Sequence, residues 1–265
     1  MDWFEVVSEN FMVAGGRALE VLERVREHYP IVLHGVSLSP GSTDGLNRQY
    51  LNDLARLVRR FEPAWISDHL CWTGVGGHNL HDLIPLPYTD EAVRHVVRRI
   101  REVQEILERR ILLENISNYM EFTCSTLNEW EFLAAVAEEA DCGVLLDLNN
   151  VHVSAFNHRF DPMVYLDAIP RHRVTQFHLA GHSDHSSYLL DTHDHPICDE
   201  VWSLYELAVR RFGEVSTLIE WDDNIPEFSE LAATAAEARQ RCATVMKETL
   251  AEDDAESQRS AETAI

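Results

Sequence analysis

Short apolar runs rich in Val, Ile, Leu and Phe recur along the chain, at residues 2–7, 31–38, 64–70, 111–114, 143–148, 175–180 and 217–221. Most are followed by a longer stretch in which apolar residues lie three and four apart: 16–29, 47–61, 89–109, 127–140, 163–169, 198–212 and 227–250. The runs read as strands and the periodic stretches as amphipathic helices, and their alternation is the pattern of parallel strands joined by crossover helices. Thr89, ahead of Asp90 and Glu91, and Asn128, ahead of Glu129 and Glu131, are suited to start helices, because side-chain oxygens and early acids satisfy orphan N–H groups and the helix dipole. No linker or internal repeat beyond this alternation divides the chain. The pattern predicts one α/β domain over residues 1–250, a (β/α)8 TIM barrel. Only seven strands are legible where eight are needed, so the expected barrel either lacks its first strand at the N-terminus, is closed by a segment that does not read as a strand, or is encoded with an upstream start. Residues 251–265, polar and acidic without an apolar face, are expected to form a disordered tail.

Composition narrows the partners. A barrel of roughly 250 residues fits a chain of 265. No apolar run approaches the ~18–20 residues that span a bilayer, so no membrane association is expected. The start, Met1-Asp2-Trp3-Phe4-Glu5, has neither the basic region nor the apolar segment of a secretory signal, and the expected location is cytoplasmic. Cys71, Cys124, Cys142, Cys198 and Cys242 are scattered without a C-x-x-C pair, which suits reduced, packed thiols better than a thiolate metal site. A formal charge of −23 opposes nucleic-acid binding, which depends on Lys and Arg neutralising phosphates.

The chemistry is carried by the strand ends. In order these hold His34, His69, Glu114, Asp147, His178 and Glu220, with Asn150, Asp191 and His193 close behind. A lone His such as His34 is more often a satisfied core or surface residue than a ligand. Glu114 after Ile111-Leu112-Leu113, Asp147 after Val144-Leu145-Leu146 and Glu220 after Leu218-Ile219 are harder to set aside, since burying an unpaired carboxylate costs several kcal/mol. A barrel gathers these C-terminal strand ends at one face, where cations would make the carboxylates tolerable. The nine donors exceed the need of one ion, so two or three ions sharing a bridging carboxylate are expected. Imidazole, carboxylate and amide donors without thiolate suit Fe, Mn or Zn. Asp68 is a candidate to orient its neighbour His69, and His182 is a candidate acid or base. His78, His81 and His185 read equally well as solvated loop residues; His152 and His195 are candidate supports for the ligands, and His28, His95 and His172 fall on helix surfaces. The chain has no G-x-x-x-x-G-K-[ST], G-x-G-x-x-G or G-x-S-x-G motif, which removes support from nucleotide-dependent transfer and from a serine triad.

Taken together, Trp3-Phe4-Glu5-Val6 with Ser8-Glu9-Asn10-Phe11, Leu33-His34-Gly35-Val36-Ser37-Leu38-Ser39, Ser67-Asp68-His69-Leu70, Pro85-Leu86-Pro87-Tyr88-Thr89, Leu113-Glu114-Asn115, Leu146-Asp147-Leu148-Asn149-Asn150-Val151 and His178-Leu179-Ala180-Gly181-His182 resemble the multinuclear non-haem iron-dependent oxidative enzymes, the group that includes the methanobactin oxazolone/thioamide synthase. The resemblance runs from the first residues to about Trp221. It implies a xylose-isomerase-like TIM barrel, two or three irons, and O2-dependent modification of a ribosomally made precursor peptide, commonly at cysteine. It further implies that His34, His69 and Glu114 hold one iron, that Glu114 bridges to a second held by Asp147, His178 and Glu220, and that Asn150, Asp191 and His193 serve a third. A separate peptide-recognition protein, forming a heterodimer, is implied as partner. The set is also similar to that of the trinuclear-zinc apurinic endonucleases, in which histidine takes the place of Asn150. Members usually carry a Gly-rich strand ahead of the Asp-Trp-Phe-Glu strand, in keeping with the seven legible here. The competing readings are a divalent-metal sugar isomerase or epimerase, a zinc nuclease that the acidic charge disfavours, and a non-catalytic metal-binding protein.

Overall fold

The computed structural model describes the backbone of residues 1–263, with side chains as far as residue 252. Seven parallel strands form the barrel wall: β1 (Phe4–Val7), β2 (Ile31–Gly35), β3 (Ile66–His69), β6 (Leu112–Glu114), β7 (Gly143–Asp147), β8 (Val174–Leu179) and β11 (Ser216–Ile219), hydrogen-bonded in that order. Each of the seven expected runs coincides with one of them, β8 and β11 starting one residue earlier than expected. Two antiparallel hairpins, β4 (Trp72–Val75) with β5 (His78–Ile84) and β9 (Ser183–Asp184) with β10 (Leu189–Leu190), rise from the wall. The helices are α1 (Arg17–Arg26), α2 (Arg48–Phe61), α3 (Asp90–Leu107), α4 (Glu129–Ala140), α5 (Leu148–His158), α6 (Pro162–Ala168), α7 (Asp199–Phe212) and α8 (Phe228–Thr263). Helix α8 carries helical backbone from the expected domain end into residues 251–263, where a tail was expected; residues 264 and 265 of that segment lie outside the described residues.

The helix starts follow the local chemistry. Asn47 accepts hydrogen bonds from the backbone N–H groups of Gln49 and Tyr50 at the head of α2, and Thr89 accepts one from Ala92 at the head of α3. Ahead of α4, the Glu131 carboxylate accepts from the Asn128 N–H at 2.8 Å. Sequence patterning did not give α5. Its first residues, Leu148-Asn149-Asn150, continue an apolar strand, and asparagine is a poor helix former. The strand's last residue is itself the helix cap: Asp147 accepts from the Asn150 N–H at 2.7 Å, so strand passes into helix with no loop between.

Side chains alternate across each strand, and this decides what meets what. Ile31, Leu33, Ile66, Leu113, Val144, Leu146, Phe177 and Leu179 point outward into the layer of helices, joining Leu54, Val96, Ile100, Phe132, Leu133, Tyr165 and Tyr205 in one buried core. Burying each such side chain contributes about 1.5–3 kcal/mol. Their neighbours of opposite parity, including Val32 and His34, Leu112 and Glu114, Leu145 and Asp147, and Gln176 and His178, face the barrel axis. The barrel is nearly closed: β1 and β11 are the two edges of the sheet. Between them a cavity of about 720 Å³, lined by Trp3, Glu5, Thr217, Phe228, Ala238 and Cys242, lies under α8 and reaches His34 and Glu220. No described helix is long and apolar enough to cross a membrane.

Candidate metal centre

Register sets the strand ends level. His34 pairs with Ser67, His69 with Glu114, and Asp147 with His178, so the inward residues of five adjoining strands share one end of the barrel. Glu220 follows β11 and is held there by its backbone N–H donating to the Leu179 carbonyl at 2.9 Å. Around Glu114 stand His34 Nε2 at 3.2 Å, His69 Nε2 at 3.3 Å and His178 Nδ1 at 3.3 Å. His178 Nδ1 is also 2.8 Å from Glu220 Oε2 and 3.8 Å from Asp147 Oδ2. His193 continues the chain of contacts, 2.6 Å from Asp191 and 3.4 Å from Glu220.

The rings are turned from behind. The Gly35 carbonyl, 3.0 Å from His69 Nδ1, can only accept, so that proton lies on Nδ1 and the Nε2 lone pair faces Glu114. Ser67 Oγ stands 2.8 Å from His34 Nδ1 and orients that ring in the same sense. For His178 the second anchor is Glu5, whose Oε1 is 3.0 Å from Nε2 and whose Oε2 accepts from Gln176 at 2.7 Å. Support of this kind fixes the tautomer of a ligating imidazole. Glu5 was not among the expected site residues. Asp222, 3.3 Å from His193, was missed as well.

These close pairs lack hydrogen-bond geometry. Glu114 Oε2, Asp147 Oδ2, His178 Nδ1, both ring nitrogens of His193 and Glu220 Oε2 are buried without a hydrogen-bond partner among the described residues. Orphans of this kind are rare in a folded chain, and here they all face one another. Four carboxylates and four imidazoles aimed inward suit cations held between them. The ligand atoms form three overlapping groups: His34, His69 and Glu114; Glu114, Asp147, His178 and Glu220; and His193, Glu220 and Asp222. Glu114 belongs to the first two and Glu220 to the last two, which is the arrangement that bridging carboxylates require.

The electrostatics agree. Burial drives the Asp147 carboxyl well above its usual range, with Glu114 adding to the rise against the pull of His193. Burial alone would also raise Glu114, but His69, His178 and His34 hold it at about 2. Burial would lower His178, yet Glu5, Glu220 and Glu114 raise it well above the ordinary imidazole value; Glu220 and Asp191 do the same for His193. Protons therefore hold this cluster together until cations displace them. His193 also has a positive φ of 47°, a strained backbone for a residue with a side chain. Its N–H donates to the Gly181 carbonyl at 3.1 Å and its carbonyl accepts from Asp222 at 2.9 Å, which over-determines that conformation.

Asn150 lines the same pocket; its Oδ1 accepts from Ser117 at 2.8 Å and its Nδ2 donates to the Asn115 carbonyl at 3.0 Å. Asp68 and His182 are not brought into the cluster. Asp68 has the opposite strand parity to His69 and points outward, where its Oδ2 accepts from Tyr50 at 3.2 Å and from the Leu38 N–H at 3.3 Å. Burial and the nearby Glu9 push its carboxyl up to about 7. His182 Nδ1 lies 2.8 Å from Asn149 Oδ1, and Asn149 in turn donates to Asp191 at 2.8 Å, so His182 reaches the centre only through an intermediary. The mouth of the site, a cavity of about 480 Å³, is rimmed by Asn79, His81 and Asp82 of the first hairpin and by Tyr119.

Residues 1–243 match the family described as "RiPP precursor modification enzyme MbnB/TglH/ChrH". The chain belongs to this family. Among relatives, a UPF0276 protein of Anaeromyxobacter sp. (strain Fw109-5) is 60% identical over 238 residues, covering 90% of this chain and 84% of its own length. A UPF0276 protein of Caulobacter vibrioides (strain NA1000 / CB15N) is 52% identical over 251 residues, covering 95% and 90%. Two solved structures show the fold. A D-tagatose 3-epimerase-like protein superposes with a TM-score of 0.61 at 16% identity over 94% of this chain and 91% of its own. Endonuclease IV from Thermus thermophilus gives 0.56 at 18% identity over 95% and 90%. The barrel expected from the alternation of elements holds, and the family match bears out the part of the resemblance that concerns precursor-peptide modification, which points to a peptide as the substrate.

Proposed function

We propose that this family member is an O2-using, multinuclear iron oxidoreductase that modifies a ribosomally synthesised precursor peptide at cysteine, with a separate peptide-recognition protein as partner. The observation that carries the reading is the set of buried, partnerless donor atoms facing one another around Glu114 and Glu220. Oxygen and nitrogen donors without thiolate suit iron, manganese or zinc, and of these the peptide chemistry calls for a redox metal. When bound, the irons would supply the one-electron redox and oxygen chemistry that no side chain here provides. His34, His69 and Glu114 would hold the first ion; Asp147, His178 and Glu220, with Glu114 shared, the second. His193 and Glu220, with Asp191, Asp222 and Asn150 alongside, would hold a third.

The remaining residues position and protect. Glu5 keeps the His178 Nε2 proton in place, so that Nδ1 stays free to ligate. Asp147 divides its carboxylate, one oxygen capping α5 and the other facing the centre. The hairpin residues Asn79, His81 and Asp82, with Tyr119, form a polar rim over which an extended peptide would deliver one side chain inward.

The test is anaerobic purification with metal analysis, then incubation with the candidate precursor peptide, its partner protein and O2, read by peptide mass and oxygen uptake. A change in peptide mass that depends on iron and O2 is expected; an unchanged mass with every component present refutes the proposal. A second reading, a divalent-metal sugar epimerase, draws on the barrel shared with the D-tagatose 3-epimerase-like protein. It predicts sugar turnover with manganese or magnesium and no oxygen uptake.

A further inference from the structure

Beside the barrel mouth, and apart from the cluster around Glu114, three further donors converge. His152 lies on α5, His182 follows β8, and Cys198 stands at the head of α7. One ligand atom from each, two ring nitrogens and the sulfur, all lie within 4.8 Å of one another, and all three residues are half-buried. The two imidazole rings have their centroids 5.1 Å apart.

We propose that His152, His182 and Cys198 form a separate mononuclear site for a divalent transition metal of the zinc class, with Glu200 or water as the fourth ligand. Tetrahedral zinc with Zn–N near 2.0–2.1 Å and Zn–S near 2.3 Å places its donors roughly 3.3–3.6 Å apart, so the three atoms need close by only about an ångström. The geometry behind them is prepared. Asn149 Oδ1, a carboxamide oxygen, accepts from His182 Nδ1 at 2.8 Å, which leaves the Nε2 lone pair of a neutral ring free to ligate. Cys198 is the N-cap residue of α7, where its sulfur makes no regular capping hydrogen bond and faces the N–H groups of the first turn, a setting that tolerates a thiolate. Glu200, in the first turn of α7, lies within electrostatic reach of Cys198 and of both imidazoles.

The site differs in kind from the barrel cluster, whose donors are nitrogen and oxygen alone. It is nonetheless tied to it: Asn149, which orients His182, also donates to Asp191 at 2.8 Å. An ion on His182 therefore fixes the side chain that holds Asp191 against His193.

Because only this site offers a thiolate, Co²⁺ serves as a selective probe. The full chain, stripped of metal and reloaded with Co²⁺, should show a thiolate-to-cobalt charge-transfer band in the near ultraviolet. The band should vanish in Cys198→Ser and weaken or shift in His152→Gln. It should persist in Cys124→Ser, whose cysteine is exposed and belongs to none of the ligand groups, and in Glu114→Gln, which strikes only the barrel cluster. Circular dichroism on each variant confirms the fold, and His152→Gln carries the test should Cys198→Ser fail to fold. No band in the parent chain, or a band that survives Cys198→Ser, overturns the proposal. The readout does not depend on any activity, so it stands or falls separately from the oxidase reading.

Discussion

Replacing Glu114 by glutamine keeps the side chain's shape and removes its charge at the point where two ligand groups meet. Two consequences can be separated, one with metal and one without. In the loaded protein, both His34–His69–Glu114 and Glu114–Asp147–His178–Glu220 lose the carboxylate they share, whose Oε2 faces the first group and Oε1 the second, so metal content should fall by two ions together. In the metal-free protein the carboxylate is stabilised by its histidines: it is held at about 2 against an ordinary 4.5. That difference corresponds to roughly 3 kcal/mol at 1.36 kcal/mol per unit. This figure is a ceiling near neutral pH. His69 is the largest of the groups holding Glu114 down, yet burial keeps His69 itself below its ordinary value, so at neutral pH its ring is mostly uncharged and its share is missing.

The pH dependence has a fixed sign. A carboxyl depressed in the folded state contributes stability that is complete above its unfolded value, about 4.5, and that is lost as pH falls toward 2. Urea unfolding of the metal-free parent and of Glu114→Gln, followed by circular dichroism, should show the variant less stable near neutral pH by up to about 3 kcal/mol. The gap should narrow as the pH drops below about 4.5. Full metal content in the variant, or equal unfolding midpoints at neutral pH, would refute the bridging assignment.

Three other perturbations test the surroundings. Glu5→Gln leaves the His178 Nε2 proton without its anionic partner and should weaken metal binding about 10–100-fold in chelator competition; unchanged affinity would mean that Glu5 does not set the ring. Gly181→Ala places a Cβ at 2.0 Å from the His195 carbonyl oxygen, backbone that has no flexible end to yield, so the 191–195 segment must shift. Loss of the ion nearest His193 with a native circular dichroism spectrum is expected, and retention of every ion contradicts it. Away from the centre, burial raises the Glu129 carboxyl despite hydrogen bonds from Asn118 and Tyr165 at 2.8 Å. The folded state therefore binds that proton more tightly, and stability should fall as pH rises from about 4.5 through the raised value. Glu129→Gln should flatten that part of the stability profile; an unaltered slope would place the charge elsewhere.

What the sequence disclosed, and what it did not, follows from strand parity. Seven barrel strands, seven of the eight helices among the described residues and the convergence of the strand-end side chains were legible because apolar runs and three-and-four spacing are local, and because a carboxylate closing such a run is costly to bury alone. Asp68 was given a role by adjacency to His69, yet adjacent residues on a strand point to opposite faces. Once His69 faces the barrel axis beside Glu114, parity alone sends Asp68 outward to Tyr50. The same rule would have found Glu5: it interrupts the apolar Phe4-Glu5-Val6-Val7 as Glu114 interrupts its own strand, but near the strand's start, where attention to strand ends does not look. The donors that no local rule could gather are His152, His182 and Cys198. They come from a helix that asparagines disguise, a loop that Gly181 lets pass close to the His195 backbone, and a cysteine far from the others in sequence. Spacing along the chain could not show that these three side chains meet, since it is the packing of β8, α5 and α7 that brings to one place what the sequence keeps apart.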